Sequence, residues 1–411
     1  MIINTFNILL IIFIFLVILT LCKTIKDSRI ENFENNNAQL TNPIKYIKCN
    51  YKPVKEYLKT VFEKIKFERI NESRTDWNLY LPCGYNFIEQ ELLTIKNIDK
   101  NKFIFGIKGC DKIASKNELW RQVETFYGRK KASTLIPESF IINNPEHIRF
   151  FKVKFNKNKI YYLKKNIQRK KGILITNNYN EILDIINSTR KKIKEYHNSK
   201  LFNIQIVKDE KNNKNQNFNT LLDLFKIIQI NVDNLFLIRK RKLNLRLYIV
   251  ITCKNYKKHM YLYKKGKCIY ANKITSEDNL DLEENLTSYN LDKQIYANHP
   301  ETLEQLKNYM TEKKYNILFK RIHIMFKEIF LAVKNNICKN SELNKGTTFQ
   351  LFGCDVIFNT KLHPYLLEFN KGPAMKFITK VDKEMKLQLL EDTFKLVGLG
   401  NKKTDNFIKL N

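Results

Sequence analysis

A chain of 411 residues with 43% hydrophobic and 12% aromatic content has enough apolar side chains for a sizeable core, which excludes a wholly disordered protein. Lys and Arg number 73 against 41 Asp and Glu, a formal net charge of +32 that draws acidic or phosphorylated partners at long range. Only 11 glycines are present, and neither G-x-G-x-x-G nor G-x-x-x-x-G-K-[ST] occurs, so Rossmann and P-loop phosphate sites are excluded.

Ile2 to Cys22 contains no charged residue, and Ile8 to Leu19 is uninterruptedly apolar. At helical rise this is enough to cross a hydrocarbon core of about 30 Å, so residues 2–22 are expected to form a transmembrane helix. Lys23, Lys26 and Arg29 follow the apolar run rather than precede it, which predicts a retained single-pass anchor with the globular body in the cytosol. Residues 23–43 read as a polar linker. The eight cysteines (Cys22, Cys49, Cys83, Cys110, Cys253, Cys268, Cys338, Cys354) form no C-x-x-C pair, so neither a zinc site nor a disulfide framework is indicated and a reducing compartment is expected.

The body starts near Ile44, with a short helix expected over Val54 to Glu68. Residues 103–123 give strand, turn and amphipathic helix through Leu119 and Trp120. Leu135 to Ile142 is extended and precedes a helix start at NNPEHIRFF. Ile160 to Asn166, the basic loop to Gly172 and ILIT form a hairpin that can close over phosphate. After a low-complexity insertion at 209–219, Lys226 to Val232, Leu245 to Cys253 and Lys258 to Asn272 carry the strand pattern of an antiparallel sheet. A helix over Ile317 to Asn336 leads into the hairpin TFQLFGCDVIF/PYLLEFN. The class is α+β with mixed and antiparallel sheets. It is divided into residues 44–150, residues 151–400 and a basic tail at 401–411.

In that hairpin Asp355, Glu368 and Asn370 approach one another, and the even spacing of the last two puts them on one sheet face. Carboxylates inside apolar strands are costly unless paired or metal-bound. Two carboxylates and an amide oxygen form a hard donor set suited to Mg²⁺ bridging nucleotide phosphates.

The segment Leu351 to Asn370 resembles the G-x-D and W-L-L-E-V-N-x-x-P pattern of the tubulin tyrosine ligase-like family, within the ATP-grasp superfamily. Residues 227–252 resemble the family's Q-x-Y-I hinge and K-F-D-x-R strand, Asn285 to Lys293 its H-L-T-N-Y-S block, and Phe103 to Trp120 its N-terminal block. All occur in family order. The resemblance implies an ATP-grasp fold. It places Lys164 and Lys116 on phosphate, Gln229 at the adenine hinge and Arg246 as the catalytic cation at the γ-phosphate or an acyl phosphate, with Mg²⁺ on Asp355, Glu368 and Asn370. The implied activity is ATP-dependent ligation of an amino-acid co-substrate to an acidic protein or peptide acceptor such as a tubulin-like tail. Asn244, Ser288 and Ile269 depart from the pattern's Asp, Asn and Arg. A catalytically impaired, membrane-tethered pseudo-ligase that binds nucleotide or an acidic protein is therefore the alternative. A nucleic-acid partner is not expected, because no recognised module accompanies the charge.

Overall fold

A computed structural model describes residues 44–47, 67–82, 87–167, 172–203, 223–276, 279–287, 292–400 and 403–410. The apolar segment 2–22, the linker, the insertion at 209–219, most of loop 168–172 and Ser288 lie outside the described residues. Among the described residues no helix is long and apolar enough to cross a membrane.

The first strands are β1 (Ile44–Ile47), β2 (Phe67–Arg69), β3 (Leu79–Tyr80) and β4 (Phe103–Phe105). Glu68 thus lies in a strand, not in the helix expected up to it. Next come α1 (Lys116–Tyr127), β5 (Ser139–Ile141), α2 (Pro145–Lys154), β6 (Tyr161–Lys165), β7 (Ile173–Thr176), α3 (Tyr179–Asn203) and β8 (Phe225–Ile230). The chain continues through β9 (Leu237–Ile238), β10 (Arg241–Lys254), β11 (Lys257–Tyr263) and β12 (Lys267–Tyr270). It closes with α4 (Leu303–Met310), α5 (Glu312–Val333), β13 (Thr347–Phe358), β14 (Pro364–Asn370), α6 (Lys380–Val397) and β15 (Phe407–Lys409). Local chemistry sets several ends. Asn144 caps α2 with Pro145 at its first position, and Thr302 with Gln305 forms a capping box on α4. Gly398 ends α6 at φ +94°, a left-handed position that glycine adopts without strain.

Two sheets result. The larger is mixed, in the order β15-β11-β10-β13-β4-β3-β1-β2, with β9 and β12 also on β10 and β14 on β13. The smaller, β5-β8-β6-β7, is antiparallel. Mixed α/β architecture therefore holds as expected. β10 is the spine of the large sheet, because its side chains alternate between two cores. Leu245, Leu247 and Ile249 face a core filled by Leu119 and Trp120 of α1 and by Ile322, Phe326 and Phe330 of α5. Tyr248 and Val250 face the other core, with Leu351 beneath Leu389 and Phe394 of α6. In the small sheet, Phe140, Tyr161, Leu163 and Ile228 bury one face against Phe151 of α2 and Ile182 and Ile186 of α3.

One expectation about cysteine is corrected. Cys253, at the end of β10, is joined by a disulfide to Cys338, which follows α5. The partners are 85 residues apart, so no short spacing marks them. Closing a loop of that length restricts the unfolded chain, and reduction with dithiothreitol is expected to lower the unfolding free energy by about 2–4 kcal/mol. Urea titration with and without reductant checks this; Cys338→Ala should show no reductant effect.

Candidate active site

Strand register builds the site. Lys267 of β12 pairs with Arg246 of β10, Arg246 with Asp355 of β13, and Asp355 with Glu368 of β14. Because directly paired residues share a face, these four side chains form a row across four strands. They lie on the face that α6 covers further along. Gly353 sits opposite both Tyr248 and Asn370. A Cβ at Gly353 would stand 3.0 Å from Pro373 Cβ and 3.4 Å from Arg246 Cδ, so the missing side chain makes room for the arginine stem. This gives a physical reason for glycine two residues before Asp355.

The row is paired by charge. Arg246 donates from Nε to Asp355 Oδ1 at 2.6 Å and from Nη2 to Oδ2 at 3.2 Å, a bidentate fork. Lys116, the first residue of α1, reaches Glu368 Oε2 at 2.9 Å. Asn370 donates its amide to Glu368 Oε1 at 3.0 Å, which leaves the amide oxygen as its donor atom toward a cation. Burial alone would raise the Glu368 carboxyl, but the Lys116 ammonium and the Asn370 amide hold it down to about 2. Burial raises the Asp355 carboxyl, against the pull of Arg246 and with the Glu368 carboxylate adding to the rise.

The small sheet supplies the facing wall. Lys164 donates to Gln229 Oε1 at 2.5 Å, and Gln229 donates to Ser139 Oγ at 3.1 Å. Lys164 is pushed down to about 8 by burial and by the Lys116 ammonium, while Glu368 and Asp355 pull it the other way. Asn166, just past β6, accepts from the Lys116 backbone N–H at 3.1 Å and donates to Ser115 Oγ at 2.9 Å, tying the small sheet to the start of α1. All seven residues singled out in the sequence thus fall into two sets, Lys116 with Arg246, Asp355, Glu368 and Asn370, and Lys164 with Gln229, linked through Asn166 and the start of α1.

Two buried lysines of the site were not singled out. Lys242, two turns of the strand pleat before Arg246 on the same face, donates to Asn285 Oδ1 at 2.6 Å and Tyr162 Oη at 3.2 Å, and burial pushes it down to about 8. Lys267 Nζ stands 3.3 Å from both Glu301 Oε1 and Asp382 Oδ2, and Lys386 Nζ lies 3.0 Å from the same Asp382 oxygen. The available signal was a lysine at an inward position of a strand-like run, a costly place without a partner. Two of the departures from the family pattern also meet here: Asn244 pairs directly with Ile269 across β10 and β12.

The donors Asp355, Glu368 and Asn370 occupy one face within hydrogen-bonding reach of two cations, a set that suits a hard divalent ion bridging phosphate. Glu89, Cys110 and Asp111 also lie close together, but Lys108 and Lys371 already balance the two carboxylates.

The chain is similar to tubulin polyglutamylase TTLL6 of Mus musculus, 29% identical over 195 residues that make up 43% of this chain and 24% of that protein. It is also similar to tubulin glycylase 3D of Tetrahymena thermophila, 26% identical over 191 residues, 43% of this chain and 18% of the relative. Tubulin polyglutamylase ttll-5 of Caenorhabditis elegans is 28% identical over 182 residues, 39% of this chain and 25% of the relative. The chain therefore spans a quarter or less of the length of these relatives. The tubulin-tyrosine ligase family model matches residues 97–406, which hold every residue of the site described above, and the chain belongs to that family.

Proposed function

We propose that this chain is an ATP- and Mg²⁺-dependent ligase that joins an amino acid's amine to a carboxylate of an acidic protein or peptide, in the manner of a tubulin tail. The observation that carries this is the row Arg246, Asp355, Glu368, with Lys116 paired to Glu368 and Lys164 within electrostatic reach of both carboxylates. Mg²⁺ held by Asp355, Glu368 and Asn370 would offset the charge of the nucleotide phosphates. Lys164, a mobile point charge, and Lys116 hold the phosphate oxygens. The acceptor carboxylate oxygen attacks the γ-phosphorus and ADP leaves. The amine then attacks the acyl carbon, phosphate departs and the nitrogen gives up a proton. Arg246, its guanidinium plane fixed by Asp355, stabilises the negative charge that develops in both steps. The uncharged run at residues 2–22, followed by Lys23, Lys26 and Arg29, supports a single membrane anchor ahead of this body.

A second reading is favoured by one observation. Asn244 and Ile269 face each other where the family pattern has Asp and Arg, so two charges are missing at one spot beside Arg246. In that reading the chain binds Mg·ATP and an acidic protein without turnover. The deciding assay supplies ATP, Mg²⁺, tubulin or acidic peptides, and labelled glutamate, glycine or tyrosine. Incorporation with any of the three is the expected result. Nucleotide binding without incorporation across the panel overturns the ligase reading in favour of the second.

Lys164 gives this account a pH signature. Its folded pKa lies below the ordinary lysine value, so the ammonium form is lost as pH rises through about 8. ATP affinity is expected to fall across that range, and Lys164→Arg should abolish the fall, since arginine stays charged. Calorimetric titrations at pH 7, 8 and 9 check it.

A further inference from the structure

The outer face of α5 is built unlike an ordinary solvated helix surface. Its inner stripe, Leu318, Ile322, Met325, Phe326, Ile329 and Phe330, is buried in the large core. On the other side, Lys313, Ile317, Lys320, Ile324 and Lys327 follow at alternating intervals of four and three, so the lysines recur every seven residues and the isoleucines every seven. Such positions lie on one line of an α-helix, here about 21 Å long at 1.5 Å per residue. Ile317 and Ile324 are 38% and 46% exposed, and the three lysines are exposed as well. Two exposed isoleucines one heptad apart, flanked by lysines, form a narrow apolar strip along which the apolar side chains of a second helix can rest.

Charge defines the partner. From Lys313 to Lys327 there is no carboxylate, while Lys314 and Arg321 add two further cations. The carboxylates at either end are already engaged: Glu312 pairs with Lys307 at 2.7 Å and Glu328 with Lys131 at 2.9 Å. We propose that this face is a docking surface for an acidic, amphipathic helix of a partner protein, whose apolar side chains rest on Ile317 and Ile324 and whose carboxylates meet Lys313, Lys320 and Lys327. Phe326, on the inner side of α5, meets Phe369 of β14 at 6.1 Å. Glu368 points to the opposite face of that strand. A helix docked on α5 therefore leaves the row of charged side chains uncovered, and the surface stands independently of the ligase reading.

The test uses the full chain and a 21-residue capped peptide with leucine at two positions of each heptad and glutamate elsewhere on the flanks. Poly-glutamate of the same length, a single-stranded RNA and phosphatidylserine vesicles serve as comparators. The expected result is binding of the amphipathic peptide that weakens at least about tenfold in Lys313→Glu/Lys320→Glu/Lys327→Glu and also in Ile317→Ser/Ile324→Ser. Mg·ATP binding measured on the same samples should stay unchanged, which separates failure of this surface from failure of the nucleotide site and reports on folding. Equal binding by both variants overturns the proposal. So does poly-glutamate, RNA or vesicle binding as tight as that of the peptide and indifferent to the isoleucine substitutions, since that is general attraction to a basic surface.

Discussion

Replacing Arg246 by methionine is expected to lower the unfolding free energy by about 3–5 kcal/mol, because it strands the buried Asp355 carboxylate next to a second carboxylate, Glu368. The double variant Arg246→Met/Asp355→Leu should recover most of that loss, since an apolar pair of similar volume carries no desolvation penalty. Denaturant titration distinguishes the two outcomes. A pH series adds a sign. Burial and Glu368 already raise the Asp355 carboxyl above its ordinary value, and removing the guanidinium raises it further. A folded-state pKa above the unfolded one favours the protonated form on folding, so the deficit of Arg246→Met should shrink as pH falls toward that raised pKa and be largest at neutral pH. A deficit that is independent of pH, or a double variant no more stable than the single one, would show that Asp355 does not depend on Arg246 for its charge.

Glu368→Gln is expected to reduce label incorporation by at least about 100-fold, the scale on which removing one charged contact to a developing charge acts. Glutamine keeps the shape and can still accept from Asn370. It offers no charge to a divalent ion and leaves Lys116 without its carboxylate. Glu368→Asp keeps the charge on a shorter stem and should retain a measurable part of the activity. Unchanged incorporation in Glu368→Gln would remove this residue from the metal set and the row from the mechanism.

The site was legible in the sequence because charge and strand pattern conflict there. Arg246, Asp355 and Glu368 each interrupt an apolar strand-like run, and the register of the three paired strands makes these interruptions neighbours on one face, with Asn370 two residues on from Glu368 on the same face. The same logic applied one step further would have found Lys242 and Lys267, which sit at inward positions of β10 and β12. α6 escaped the pattern because Asp382, Lys386, Asp392 and Thr393 are buried among its apolar residues and break the stripe that marks a core helix. α3 was passed over in a segment dominated by Lys, Asn and Glu, although Ile182, Ile186 and Ile193 are spaced for one helical face. The Cys253 and Cys338 pair depends on bringing β10 against the segment after α5, which no local spacing encodes.

Register also changes the meaning of the departures from the family pattern. Read along the chain, Asn244 and Ile269 are two separate losses. Across the strands they are one pair, and exchanging a facing Asp and Arg for a facing Asn and Ile removes one charge of each sign. The net charge around Arg246 is unaltered by the exchange. Nucleotide binding at the row is therefore expected to survive it, and the consequence falls on whatever that pair would have contacted.

Calorimetric titration of the full chain with ATP, once with Mg²⁺ and once with EDTA, tests the row as a metal-nucleotide site. Saturable binding that weakens at least about tenfold without the metal is the predicted result. No heat with Mg·ATP, or equal affinity in EDTA, would contradict it.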